Sequence, residues 1–142
     1  MGQNIVIMAT NSLKIQRFRA NDLVDNGGKQ FELGRSWCDD FFEFNRDDTE
    51  VVINLTFKSL CNEYEKYTNK NIELKLSGVS TRGDRKAYVN GENGRSQIKD
   101  FFIKDLQLTV ENNSEDYFGV YKSNLGEYYL YFIPRPLYEN FI

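Results

Sequence analysis

Apolar and polar residues alternate over several short stretches of the chain, which is the pattern of strands with one buried face. β-branched and aromatic residues concentrate in the same stretches, and both are common in strands. The predicted strands cover residues 13–20, 30–33, 50–60, 71–77, 101–110, 117–122 and 127–133. Strands at this spacing with few helices favour a barrel or a sandwich, so the predicted fold class is mainly β.

Two segments depart from this alternation. Trp37 and Phe41 follow Ser36 at near-helical spacing, and serine is suited to cap a helix, so a short helix is predicted there. Residues 78–99 contain four glycines and few large apolar side chains, which predicts a long loop. No linker or repeat divides the chain, and 142 residues fit one domain, predicted over residues 1–142.

Composition excludes several kinds of protein. Hydrophobic residues make up 40% of the sequence, enough to bury a core, while the longest apolar runs fall far short of a membrane span. The first ten residues lack the basic leader and the long apolar segment of a secretory signal. We therefore expect an intracellular protein with no membrane partner.

Histidine is absent from the sequence, which restricts the available chemistry. Ser-His-Asp and Cys-His catalysis, histidine-ligated metals and HNH-type nuclease activity are thereby excluded. The two cysteines, Cys38 and Cys61, are too few for a disulfide framework or a four-ligand zinc site, and we interpret both as packing residues. We predict no metal and no cofactor.

Charge is segregated along a chain whose net charge is only −3. Residues 1–36 and 64–104 carry net charges of +2 and +4, whereas residues 37–50 and 105–142 carry −5 and −4. Ordinary fluctuation along a soluble chain explains such zones as readily as function does. The functional interpretation is that the two basic zones meet in the fold and face a polyanion.

One candidate for catalysis is a small metal-dependent nuclease. Glu73 and Lys75 form an E-x-K pair on a predicted strand, and together with Asp48 they could hold Mg²⁺ and activate water. Such a pair arises often by chance in a chain this rich in charge. The same alternation that buries Ile72 and Leu74 places the pair on an exposed face, so a surface ion-pair face is the simpler interpretation.

Two polar, basic segments are suited to DNA instead. One runs from Arg17 to Gln30 and the other from Tyr64 to Lys75, and both are rich in arginine, lysine and asparagine. Arginine and lysine pair with guanine or phosphate, asparagine and glutamine contact adenine, and acidic side chains accept from cytosine. Composition alone still favours ordinary surface hairpins for both segments.

The first of these segments resembles a known family. Its matching positions read Arg17-x-x-Ala20-Asn21-Asp22, a four-residue spacer, and then Gly27-Gly28-Lys29-Gln30. This spacing is similar to the opening of the N-terminal effector domains of EcoRII-like restriction endonucleases. Related domains occur in the BfiI and UbaLAI enzymes, and plant B-three transcription factors share their DNA-binding pseudobarrel fold. A weaker match begins at Glu73-x-Lys75-Leu76-Ser77-Gly78.

The resemblance implies a fold and a function. The family fold is a seven-stranded open pseudobarrel with one or two short helices, whose N-arm and C-arm grip the major groove; here these arms would span about residues 16–33 and 64–75. Cleavage in the family resides in a separate nuclease domain. The chain is therefore predicted to be the non-catalytic, sequence-specific recognition domain of a type II restriction endonuclease, monomeric and located in the prokaryotic cytoplasm. Its implied partners are double-stranded DNA, with CCWGG suggested by analogy alone, and that nuclease domain.

The implied DNA contacts come from both arms and from the loop that follows the C-arm. Arginines and lysines among them are expected to hold phosphates or read guanine, and the amide and acidic side chains to contact base edges. The predicted DNA-binding residues are Arg17, Arg19, Asn21, Asp22, Lys29, Gln30, Asn69, Lys70, Asn71, Glu73, Lys75, Arg82 and Arg85.

A third function class stays open, which is protein interaction through the aromatic C-terminal strands. Tyr128, Tyr131 and Phe132 are its candidate contacts. Alternation in this segment means that at least one aromatic face needs burial, which a core or a neighbouring domain would supply equally well.

Overall fold

The computed structural model of the chain describes residues 12–24, 31–33, 37, 41–42, 50–77, 87–89 and 97–140. The strands are β1 (Leu13–Arg17), β2 (Glu32–Leu33), β3 (Glu50–Phe57), β4 (Asn71–Ser77), β5 (Ala87–Val89), β6 (Tyr117–Lys122) and β7 (Tyr128–Ile133). The helical segments are α1 (Ala20–Leu23), a 3₁₀ helix (Asn62–Tyr67), α2 (Gln97–Asp100), a π-helical turn (Phe101–Asp105), α3 (Val110–Asn113) and α4 (Arg135–Glu139). In these ranges no helix is long and apolar enough to cross a bilayer.

The described strands form one mixed sheet in the order β1-β6-β7-β3-β4-β5-β2. Five of them are five to eight residues long, and β2 and β5 are much shorter. Among the described ladders, β3 against β7 is parallel and the others are antiparallel. The prediction of a β-sheet accompanied by a few short helices is confirmed, whereas the seven-stranded open pseudobarrel stays a prediction.

Alternating side chains on β3 and β4 give the sheet one apolar face and one polar face. Ile53 and Leu55 on β3 and Ile72 and Leu74 on β4 are buried, whereas Asn54 on the opposite face of β3 is exposed. This is the period of two that an extended backbone imposes on its side chains. The buried face therefore defines the inside of the domain.

Aromatic rings fill the inside and show that the sheet is strongly curved. Phe31 directly precedes β2 at one end of the sheet, and Phe118 lies on β6 near the other end. In a flat sheet, strands five places apart would be separated by about 24 Å. The centroids of these two rings are 5.2 Å apart, and both rings also pack on Phe102. The sheet must therefore bend around this aromatic core.

A second, smaller apolar cluster lies on the other face of the sheet. Tyr131 and Ile133 of β7 are buried there, and Leu137 and Tyr138 of α4 pack against them. The rings of Tyr138 and Tyr117 stack with centroids 3.9 Å apart. Both faces of β7 are thus covered, which explains why its sequence is a continuous run of aromatic and apolar residues rather than an alternation.

The predicted strand over residues 101–110 is wrong. Phe101 and Phe102 are adjacent in sequence and both are buried in the same core, which a strand cannot achieve because its successive side chains point to opposite faces. The backbone forms a π-helical turn instead, in which the Leu106 N–H donates to the Phe101 carbonyl at 3.0 Å. The predicted set of strands consequently differs from the observed set.

The prediction of a loop over residues 78–99 is also partly wrong, because β5 and the start of α2 lie within this range. Helix α1 was not predicted either; the sequence suggested a strand up to residue 20 and then a turn. At the predicted short helix, the described residues agree, since the Phe42 N–H donates to the Trp37 carbonyl at 2.8 Å as in a helical turn. Ser36 and residues 38–40, which belong to the predicted helix, lie outside the described residues.

Candidate nucleic-acid interface

The predicted DNA-binding residues are only partly described. Lys29, Gln30, Arg82 and Arg85 lie outside the described residues, and for Lys75 the structure gives only its pairing with Val52 in the ladder between β3 and β4. The remaining ones lie on β1, at the N-cap and within α1, in the turn before β4, and on β4 itself.

Asp22 lies within α1 and is completely buried, at 0% exposure. Its Oδ2 atom accepts a hydrogen bond from the backbone N–H of Arg19 at 2.9 Å, and its Oδ1 atom lies 3.5 Å from the Arg19 guanidinium. A carboxylate without any exposure cannot reach a base or a phosphate. We therefore correct the predicted role of Asp22 from a DNA contact to the residue that closes the turn at the start of α1.

Burial also changes the protonation chemistry of this carboxyl group. Desolvation raises the pKa of Asp22 above its ordinary value. The hydrogen bond from Arg19 and the positive charges of Arg19 and Lys99 oppose this rise without cancelling it. The ionised form is therefore costly in the folded state, and the two cations reduce that cost.

Lys99 of α2 is the second buried charge, with only 2% of its surface exposed. Its Nζ atom donates a hydrogen bond to the backbone carbonyl of Asn21 at 3.0 Å. A buried ammonium needs such partners, because removing it from water is otherwise strongly unfavourable. The hydrogen bond ties the N-arm to α2. Sequence analysis missed Lys99; the available signal was its position directly beside Ile98 and close to Phe101, which are both buried.

The C-arm contacts the same helix. The Oε1 atom of Gln97 accepts a hydrogen bond from the backbone N–H of Glu73 at 2.9 Å. In the described ladder, β5 pairs only with Leu76 and Ser77 of β4. Gln97 thus supplies the acceptor that a longer β5 would otherwise provide to Glu73. Helix α2 consequently joins the two arms.

Arg17 is exposed at the end of β1, and its interactions with neighbouring residues are weak. Its Nε atom donates to the Ser114 carbonyl at 3.2 Å, and its guanidinium lies 3.7 Å from the Glu115 carboxylate. Glu115 also pairs with Arg135 at 2.9 Å. Exposed ion pairs of this kind contribute little to stability and exchange readily with solvent. The Arg17 side chain is therefore able to exchange these partners for solvent or for an anion.

Asn69 and Lys70 form the turn that leads into β4. Asn69 has a φ of 78°, a left-handed conformation that asparagine tolerates better than most residues. Its Oδ1 atom accepts from Lys58 Nζ, and Lys70 forms an ion pair with Asp105. Both side chains are exposed, but a contact with DNA would require them to exchange these partners.

A polar cleft lies on the outer face of the sheet beside the C-arm. Its volume is about 380 Å³, and Asn71 lines it together with Asn54, Thr56 and Glu127. The described lining offers amide, hydroxyl and carboxylate groups and contains no cation. Amides suit base edges, whereas phosphates require a basic site, so the cleft is chemically distinct from the exposed arginine on β1.

The protein-interaction hypothesis loses two of its three candidate contacts. Tyr131 and Phe132 are buried, at 6% and 4% exposure, and Tyr128 packs its ring on Phe42 with centroids 5.4 Å apart. The requirement of these aromatic strands for burial is thus met within the chain itself.

The nuclease hypothesis names Asp48, Glu73 and Lys75 as the residues that would hold Mg²⁺ and activate water. Asp48 and the Lys75 side chain lie outside the described part of the chain. Within that part, no group of three acidic, cysteine or histidine side chains is arranged to hold a metal ion. Glu73 is half-buried, and its backbone is held by Gln97.

Comparison with known proteins adds no family assignment. No protein-family model matches the sequence, and no curated protein matches it either. The likeness to EcoRII-like effector domains rests on the residues of the two arms alone, so the function that it implies is a proposal.

Proposed function

We propose that the chain is a sequence-specific, double-stranded DNA-binding domain that reads the major groove with its two arms. In this proposal it serves as the recognition domain of a type II restriction endonuclease whose nuclease domain is separate. The observation that carries the proposal is the contact of both arms with α2. Lys99 binds the carbonyl of Asn21, and Gln97, only two residues away, binds the amide of Glu73. One residue of each arm thus contacts the same short helix, which supports the proposed clamp.

The exposed side chains of these arms have the chemistry that DNA recognition needs. Asn21 and Asn71 are exposed and carry the paired donor and acceptor that match an adenine edge. Arg17 is exposed and suited to a phosphate or to guanine. With a net charge of −3, the chain is expected to bind random DNA weakly, so its affinity for a target would come mainly from these contacts.

Curvature of the sheet supports the proposed pseudobarrel. The contact between Phe31 and Phe118 draws the two ends of the strand order towards one core. Helix α1 follows β1 along the chain, and α2 contacts β4 through the hydrogen bond between Gln97 and Glu73.

Selection of bound duplexes from a randomised pool tests the proposal directly. We expect one motif to be enriched, and a duplex with this motif to bind at least about a thousandfold more tightly than a scrambled one at physiological salt. A CCWGG duplex belongs among the individual probes. Absence of any enrichment would overturn the proposal. Mg²⁺-dependent plasmid cleavage that Glu73→Ala abolishes would also overturn it, in favour of the nuclease hypothesis.

Two variants separate base reading from phosphate binding. Asn71→Ala is expected to relax the preference at one base pair, at a cost of about 1–3 kcal/mol in discrimination. Arg17→Ala should weaken all duplexes about equally and lower the slope of log K against log salt by about one. The matched control is Asn112→Ala, an exposed asparagine on α3, which should change neither quantity. Equal effects of the two arm variants would contradict the assignment.

A further inference from the structure

Lys99 is a buried charge that the proposed DNA contacts do not use. With 2% of its surface exposed it cannot reach a phosphate or a base, yet its ammonium holds the backbone of the N-arm at Asn21. Gln97 in the same helix holds the backbone of the C-arm at Glu73. A four-residue helix therefore makes one hydrogen bond to each arm, and in each case to the main chain rather than to a side chain that would read DNA.

Helix α2 is itself held firmly in place. Ile98 lies between the two holding residues and is 1% exposed, and Phe101 directly after the helix is 2% exposed. Both side chains belong to the aromatic core. The ring of Phe101 packs on Phe57 of β3 with centroids 4.8 Å apart. A shift of either arm relative to the other must therefore break a hydrogen bond to α2 or move buried aromatic residues, and close packing resists such movement.

We propose that α2 is a brace that sets the spacing of the two arms, and that Lys99 and Gln97 are positioning residues that determine sequence specificity without touching DNA. This inference rests on the proposed DNA-binding function. Base contacts need a side chain within hydrogen-bond distance of its base edge, whereas phosphate contacts tolerate displacement far better. Loss of the brace is therefore expected to weaken binding to the selected duplex and to leave binding to random duplexes nearly unchanged.

The test compares Lys99→Met and Gln97→Met with a matched control, Lys104→Met. Met keeps most of the length of each side chain and removes its hydrogen bond. Lys104 is exposed in the adjacent π-helical turn and has no hydrogen bond or ion pair within the described residues. We expect each brace variant to lower the ratio of selected to random affinity by about tenfold, the usual size of a coupling between two sites. Gln97 is exposed, so its variant remains informative if Lys99→Met fails to fold.

Salt dependence separates positioning from direct contact. Because neither brace variant removes a phosphate contact, the slope of log K against log salt should equal that of the unaltered chain. A slope reduced by about one in Lys99→Met would show that this ammonium touches a phosphate, and the inference would be wrong.

Amide hydrogen exchange gives a readout that does not need DNA. Gln97→Met should accelerate exchange at the Glu73 amide, and Lys99→Met should accelerate it at the same amide by loosening α2, whereas Lys104→Met should not. Unchanged exchange in both brace variants would refute the brace even if the chain binds no DNA. If the unaltered chain selects a motif but the brace variants keep its full affinity ratio, the inference fails and the proposed function stands.

Discussion

Two ionic groups of similar composition lie in contrasting surroundings. Asp22 and Lys99 are buried at 0% and 2% exposure, with Arg19 beside them. Arg17 pairs with Glu115 at the surface, where about half of each side chain or more is exposed, and Arg135 shares the same carboxylate. Both groups contain carboxylates and cations at ion-pair distance or within electrostatic reach, so residue type does not distinguish them.

Burial decides what each group does. In the buried group Asp22 and Lys99 each depend on particular neighbours, because water cannot replace a partner that they lose. In the exposed group water, salt or an incoming phosphate can replace any partner at little cost. The buried group therefore helps to fix the backbone at Asn21, while the exposed group can exchange its partners.

The largest expected effect on stability comes from removing the charge of Lys99 from the buried group. Lys99→Met leaves the Asp22 carboxylate with only Arg19 to offset its desolvation, and we expect the free energy of unfolding to fall by about 3 kcal/mol. Guanidinium unfolding curves measure this loss. Lys104→Met, which removes the same charge from the surface, should stay within about 0.5 kcal/mol of the unaltered chain.

A double variant checks the cause of that loss. Asp22→Asn combined with Lys99→Met removes both charges together, so the double variant should be more stable than Lys99→Met alone. If the stability losses of the two single variants simply add in the double variant, Asp22 and Lys99 do not interact. The contrast between the buried and exposed groups would then have to be explained by packing alone.

A second, smaller effect concerns pH. The pKa of Asp22 is raised in the folded chain above the ordinary value of 3.8, so folding favours the protonated form. The stability that Asp22 contributes is full below the unfolded-state pKa and is lost as pH rises through the folded-state pKa, by about 1.4 kcal/mol for each unit between the two. Asp22→Asn cannot titrate, so its stability relative to the unaltered chain should rise over this window. If the difference in the free energy of unfolding between Asp22→Asn and the unaltered chain stays constant with pH, burial does not raise the pKa of Asp22.

The smallest expected effect comes from the exposed group. Glu115→Gln removes two surface ion pairs and should change the free energy of unfolding by less than about 1 kcal/mol, with the change shrinking further in high salt. Because an acid beside Arg17 is lost, affinity for random duplex should rise slightly. A loss of stability as large as that of Lys99→Met would show that exposure does not separate the two groups.

The longer strands of this fold were largely predictable, whereas most of the helical segments were not. Alternation identified the segments of β3, β4 and β6 because these strands have a clear inner face. It failed over residues 101–110, where apolar residues at 101 and 102 are packed on the same side by a π-helical turn. Four-residue helices such as α1 carry too few residues for a periodic pattern to emerge, so tertiary contacts decide their conformation.

The residue types of the candidate site can be taken from the sequence, but the burial of each side chain cannot. The motif at residues 20–22 identified a distinctive segment, but it treated Asn21 and Asp22 alike, although one is exposed and the other is enclosed. Lys99 was hidden because a basic residue inside an apolar stretch resembles any surface lysine in the sequence alone. Which polar residues face inward depends on contacts between segments far apart in the chain, such as the bond from Lys99 to Asn21.

The parallel ladder between β3 and β7 has a consequence for how the chain acquires its structure. It joins segments about seventy residues apart in sequence, and within the described strands β1 pairs only with β6, about a hundred residues further on. During synthesis, aromatic side chains of the N-terminal half therefore stay exposed to solvent until the hairpin of β6 and β7 leaves the ribosome. Slow folding and a need for chaperone protection are therefore expected of the nascent polypeptide, however stable the finished domain becomes.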